Sequence, residues 1–144
     1  MGTKVVGHGP TGSSPVAASA GAEEVRRQTE RVLADPLFRN SRRYSDLLKY
    51  IVDRTLDGRF DDLRERIIGI EVFGRAPDYD TSLDSTVRVV ATEVRKRLAA
   101  YYADPSRQTE LRIELPPGSY VAEFRAAAQD ATRQKALHVR YLGL

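Results

Sequence analysis

Apolar positions recur at intervals of three and four residues along most of the chain and then switch to every second residue near its C-terminal end. That pattern predicts amphipathic helices followed by a hairpin. The first helical run begins at Ala22, with Val25, Thr29, Val32 and Leu33 on one stripe and Pro36 ending it. From Ser41, a good N-cap residue, Tyr44, Leu47, Leu48, Ile51, Val52 and Thr55 form a broader stripe that Gly58 stops, which predicts the central helix of the core. A third helix is expected from Asp62, with Glu65 three residues on as a carboxylate variant of the capping box. Leu63, Ile67, Ile70 and Phe73 then face inward and Gly74 closes the run. Gly69 weakens this helix by about 1 kcal/mol relative to alanine. The longest run, Ser85 to Tyr102, buries Val87, Val90, Ala91, Val94, Leu98 and Tyr101, with Tyr101 and Tyr102 expected to close the core against the hairpin.

Beyond Tyr102 the period is two. Leu111, Ile113 and Leu115 alternate with Arg112 and Glu114, and Tyr120, Ala122 and Phe124 alternate with Val121 and Glu123. Between them Pro117 and Gly118 suit the two central positions of a type II turn. A two-stranded hairpin is not stable alone in water, so it must pack on the helices. The fold class this predicts is mainly α with a C-terminal β-hairpin, that is α+β.

Residues 1–21 are rich in Gly, Ser, Pro, Ala and Thr and read as a disordered arm, residues 22–126 as the folded domain, and residues 127–144 as a tail or linker. The 144 residues are 41% apolar and 30% charged, the proportions of one soluble globular domain. Cysteine is absent, which excludes disulfides, thiolate metal sites and Cys nucleophiles. No apolar run is long enough for a membrane helix or a secretory signal, and a cytoplasmic protein is expected. The net charge is +3 and the pI about 9.3, with the whole surplus of three positive charges falling between residues 84 and 144. Nucleic acid is thereby permitted as a partner and not demanded.

Several motifs are weaker than they look. Gly7, Gly9 and Gly12 match GxGxxG, but Pro10 interrupts the run and no βαβ unit follows, so a linker is the better reading. Asp78, Asp80, Ser82 and Asp84 fall at calcium-loop positions, yet Leu83 stands where the loop needs glycine and Val89 where it needs a bidentate glutamate. His8 and His138 lie in the predicted arm and tail, outside any triad or metal shell. No metal and no cofactor are predicted. Nor can a convergent nucleophile, base and oxyanion donor set be assembled, so the chain is not read as an enzyme.

The run STVRVVATEVRKRL followed by LRIELPPGSYVAEF resembles the recognition helix and wing of OmpR/PhoB-type winged-helix domains. Thr86, Val87, Val89, Val94, Arg95, Lys96 and Leu98 fit the helix pattern, Tyr120 fits the hairpin aromatic, and Ile70 to Gly74 (IEVFG) is similar to the family's L-x-x-V-W-G. The likeness spans about residues 44 to 125 and is closest to N-terminal winged-helix domains of multidomain bacterial proteins that also carry TPR, β-propeller or adenylate cyclase modules. It implies a winged helix-turn-helix fold with an additional N-terminal helix. It also implies a bacterial transcriptional regulator that binds double-stranded DNA, commonly as a dimer, with loop 75–84 and its Tyr79 a candidate surface for RNA polymerase. The sequence departs from the family in having a polar arm and one helix where a four-stranded sheet usually stands, and in placing Thr92, Glu93 and Pro116 where basic residues are common.

A helical wheel with Val87, Ala91, Val94 and Leu98 inward turns Ser85, Arg88, Val89, Thr92, Lys96 and Ala99 outward and sets Arg95 and Arg97 on opposite flanks. Short side chains let a helix backbone enter the major groove, hydroxyls and arginines address base edges, and flanking cations address phosphates. The candidate DNA-binding residues are therefore Ser85, Thr86, Arg88, Thr92, Arg95, Lys96 and Arg97 on the helix and Arg112 on the hairpin, with the hairpin (about 110–125) on the flanking backbone or minor groove. A second reading, motivated by Glu93 and Pro116, is a protein-interaction adaptor that does not bind DNA specifically.

Overall fold

The computed structural model describes residues 19–127. The GxGxxG run, both histidines and the tail from residue 128 lie outside the described residues. The elements, in chain order, are α1 (Ser19–Ala34), α2 (Pro36–Arg39), α3 (Arg42–Leu56), α4 (Glu65–Phe73), α5 (Thr86–Ala103), β1 (Arg112–Glu114) and β2 (Glu123–Arg125), with single 3-10 turns at Phe60–Asp62 and Pro105–Arg107. The chain is mainly helical with a small antiparallel hairpin at the C-terminal end of the fold.

The first helix starts three residues earlier than the periodicity predicts, and Pro36 opens a second helix as well as ending the first. Asp35 explains the second point: its Oδ1 accepts the Leu37 N–H at 3.0 Å, capping a helix whose first residue is a proline with no N–H to satisfy. Phe38 is thereby buried at the junction of α2 with α1, α3 and α5. Ser41 caps α3 as its residue type predicts, its Oγ accepting from the Tyr44 N–H at 3.4 Å. Leu47, Leu48, Ile51 and Val52 of α3 are fully buried, and α3 packs on both α1 and α5.

The third predicted helix is corrected at its start. Asp62 caps nothing, because its carboxylate takes Arg54 Nε at 3.1 Å and Arg59 Nη2 at 2.8 Å, and its carbonyl takes the Tyr50 hydroxyl at 3.0 Å. The chain passes through a 3-10 turn there, Arg64 is extended, and α4 begins only at Glu65. The face of α4 turned to α3, α5 and Tyr79 is that of Ile68 and Gly69, so these are its buried positions while Ile67, Ile70 and Phe73 are only partly covered. Gly69 is required, not merely tolerated. A Cβ at this position would lie 2.1 Å from the Tyr79 hydroxyl oxygen, because the hydroxyl end of the tyrosine reaches the helix backbone there to bond the Glu65 carbonyl. At the other end a Schellman pair, Arg75 N–H to the Gly69 carbonyl (3.0 Å) and Gly74 N–H to the Ile70 carbonyl (3.2 Å), closes the helix.

Helix α5 has 18 residues and so runs about 27 Å. Its predicted inward stripe is buried throughout, and Tyr101 and Tyr102 both close the core as expected, edge to face with ring centroids 4.9 Å apart. The hairpin pairs Arg112 with Arg125, Ile113 with Phe124 and Glu114 with Glu123. A tight turn on PPGS would put Leu115 opposite Tyr120, which is two residues out from this register. The type II turn itself forms, with Gly118 at φ +78° and the Ser119 N–H bonded to the Pro116 carbonyl at 3.2 Å. Type II geometry does not match the twist of paired strands, so the ladder stops at Glu114 and Glu123 and the connection is long. Because the offset is two residues, Leu111, Ile113, Leu115, Ala122 and Phe124 still face the core.

Candidate nucleic-acid interface on the outer face of α5

The face of α5 turned away from the core carries Ser85 at its N-cap, then Arg88, Val89, Thr92, Lys96 and Ala99, all exposed. Lys96 has a side chain 71% exposed and loosely paired with Glu93 at 3.6 Å. Val89 is 55% exposed, and Leu83, in the loop leading into α5, is 85% exposed. The Thr92 hydroxyl turns back to donate to the Arg88 carbonyl at 2.9 Å.

The other four predicted residues make internal contacts. Thr86 donates its hydroxyl to Asp84 Oδ1 at 2.7 Å and accepts from Arg75 Nη2 at 2.8 Å. Arg95 donates from Nε to the Leu115 carbonyl at 3.2 Å and from Nη2 to the Ser119 carbonyl at 3.0 Å, with Tyr120 6.0 Å beneath its guanidinium. Arg97 leaves on the opposite flank, donating to the Leu37 carbonyl at 3.1 Å over the ring of Tyr44. Arg112 pairs with Glu114 at 3.1 Å and lies over Tyr102. Thus Ser85, Arg88, Thr92 and Lys96 share one outer face, from which Arg88 also bonds to Glu65 of α4, while Thr86, Arg95, Arg97 and Arg112 tie α5 to its neighbours.

A groove of about 380 Å³ separates the C-terminal half of α5 from the hairpin, lined among others by Ala99, Tyr102, Arg112, Pro116 and Arg125. Its cations are matched on the hairpin itself, since Glu114 takes both Arg112 and, at 2.8 Å, Arg125. With Glu123 and Arg95 also in its lining, the groove carries little net charge.

The N-terminal end of α5 is held by the loop before it. Arg75 donates from Nε to Asp84 Oδ2 at 2.8 Å and from Nη1 to the Phe73 carbonyl at 3.1 Å. The hydroxyl and N–H of Thr86, and then Arg75, bring the Asp84 carboxyl down to about 2. Tyr79 donates its hydroxyl to the Glu65 carbonyl at 3.2 Å, and Arg66 reaches over to the Tyr79 carbonyl at 2.6 Å. Two of the carboxylates that resemble a calcium loop, Asp80 and Asp84, are already occupied by Ser82 and by Thr86 with Arg75. Among the described residues, no cluster of three or more His, Asp or Glu could hold a metal ion, and no helix is long and apolar enough to cross a membrane.

Arg88 has two partners, both through Nη1: the Glu65 carboxylate on the first turn of α4 and the Thr81 carbonyl at 3.1 Å. The carboxylate raises the pKa of the guanidinium above its already high ordinary value. Glu65 was legible only as a capping residue, because its partner is 23 positions away and no local pattern links them. Compared with family models, with curated proteins and with solved structures, the chain matches none.

Proposed function

We propose that the domain is a winged helix-turn-helix that binds double-stranded DNA and acts in transcription regulation. In this reading α3, α4 and α5 form the three-helix unit, α5 enters the major groove, and the hairpin is the wing lying on the flanking backbone. The observation that carries it is the outer face of α5, exposed among the described residues and built of short side chains around Arg88 and Lys96, with the hairpin fastened beside it by Arg95. Short residues admit a helix to a groove about 12 Å wide, and a cation at the rim gains by displacing counterions. Loop 75–84 remains available to a protein partner such as RNA polymerase, and dimerisation on DNA is compatible with this arrangement.

The test is anisotropy of a labelled duplex at about 50 and about 200 mM salt, with wild-type protein and Lys96→Ala. Binding should weaken steeply with salt, and the variant should lower the slope of log affinity against log salt by about 1. Absence of binding at the lower salt, or binding indifferent to salt, rejects the reading. The exposed Leu83 and Val89 favour a second reading, an apolar protein-docking face. It is distinguished by a partner whose binding survives Lys96→Ala and is lost in Leu83→Ser/Val89→Ser.

A further inference from the structure

We infer that Glu65 is a positioning residue which fixes Arg88 as a guanine-reading fork, an inference that rests on the DNA-binding reading above. A guanidinium has five N–H donors in a rigid plane. Both hydrogens of Arg88 Nη1 are taken, one by the Glu65 carboxylate and one by the Thr81 carbonyl, and its Nε and Nη2 have no protein partner among the described residues. The free edge is the Nε–H/Nη2–H pair, the two parallel donors that match the O6 and N7 acceptors of guanine.

Three features separate this from an ordinary surface ion pair. Arg88 stands on the first turn of α5 beside exposed Ser85, Val89 and Thr92, the part of a recognition helix that reaches base edges. Glu65 is itself held: its backbone carbonyl takes the Tyr79 hydroxyl, and its carboxylate sits in the first turn of α4, where the helix dipole favours negative charge. The pair is also close to neutral overall. Arg88 therefore adds little to long-range attraction for phosphates while keeping its hydrogen-bond geometry, which suits selection of a base more than affinity for the backbone. Lys96, more exposed and only loosely paired with Glu93 at 3.6 Å, has the complementary character.

The experiment starts from duplexes enriched by the wild-type protein from a random pool, in which each guanine is replaced in turn by 7-deazaguanine, which lacks the N7 acceptor. Wild-type protein should lose about tenfold in affinity at one guanine. Glu65→Gln, which keeps the volume and removes the charge, should shrink that penalty to about twofold, and so should Arg88→Lys, which keeps the charge and removes the fork. Glu65→Gln should lower the thermal midpoint by at most a few degrees, as loss of one half-exposed ion pair does, and should bind unselected duplex as tightly as wild type or more so, a split that simple unfolding does not produce. Failure of the pool to enrich any sequence, a wild-type affinity indifferent to every 7-deazaguanine, or a full penalty retained in Glu65→Gln overturns the inference alone, because salt-dependent duplex binding would persist. No duplex binding at low salt overturns it together with the proposed function.

Discussion

The backbone N–H of Ile113 donates to the hydroxyl of Tyr102 at 3.0 Å, so a helix side chain occupies a hydrogen-bonding position on the outer edge of β1. The same hydroxyl donates to the Leu111 carbonyl at 2.7 Å and accepts from Gln28 Nε2 at 3.3 Å. Tyr102 thus joins α1, α5 and the hairpin through one atom, and its burial raises its pKa. Tyr102→Phe removes only that oxygen and leaves a buried strand N–H without a partner. The expected loss is about 1–3 kcal/mol of stability, read by urea unfolding with an unchanged m-value. A loss within error of zero would show that the hairpin does not depend on this link.

Gly69→Ala should be destabilising although alanine is favoured over glycine in a helix by about 1 kcal/mol. The added methyl meets the Tyr79 ring, its hydroxyl oxygen 2.1 Å from the new carbon. Tyr79→Ala alone removes packing and the bond to the Glu65 carbonyl. The double variant should be more stable than the sum of the two singles predicts, and thermal unfolding of all four proteins measures that coupling. Strict additivity would mean that the ring and the helix can part without loss.

Asp84 sets the acid limb of stability for the start of α5. Its carboxyl has a pKa of about 2 when folded, against 3.8 ordinarily, so the unfolded chain binds the proton more readily. The stabilisation is complete above the ordinary value and is lost as pH falls from there through the folded value. Asp84→Asn should be less stable than wild type at neutral pH, and the gap should narrow across that window. A constant gap from neutral pH down to about 2 would assign the effect to packing instead.

Arg95→Ala should loosen the hairpin connection without unfolding the helices, because both of its bonds go to carbonyls of residues 115–119. Hydrogen exchange at the backbone amides of residues 118–122 should rise, while the amides of α3 keep their protection. Arg95→Lys should recover little, since one ammonium cannot reproduce two fixed donors on a plane. Equal acceleration in the hairpin and in α3 would show global destabilisation and defeat the prediction.

The fold was legible wherever a long stripe of one period decided it. The buried face of α5 and the alternation of Ile113, Leu115, Ala122 and Phe124 were readable because burial there follows periodicity alone. The start of α4 was not, because whether Asp62 caps a helix depends on Arg54 and Arg59 competing for the same carboxylate. Gln28 escaped notice for a similar reason: it is buried only because Tyr102 and Glu110 wait for its amide 74 and 82 residues further on. On the candidate site, the wheel separated the outer face of α5 from the inner one. It could not tell a cation facing solvent from one fastening the helix, since Arg95 finds its partners 20 and 24 positions away and Arg97 finds its own 60 positions away.

The alternation that keeps Ile113 and Phe124 in the core while their neighbours face outward also governs how this hairpin could change length. Two residues added to each strand lengthen the projection and leave every inward side chain in place. One residue added to a strand turns all that lie beyond it inside out, setting Glu114 where Leu115 now packs. The length of the hairpin is therefore quantised, adjustable in steps of about 7 Å and not in between.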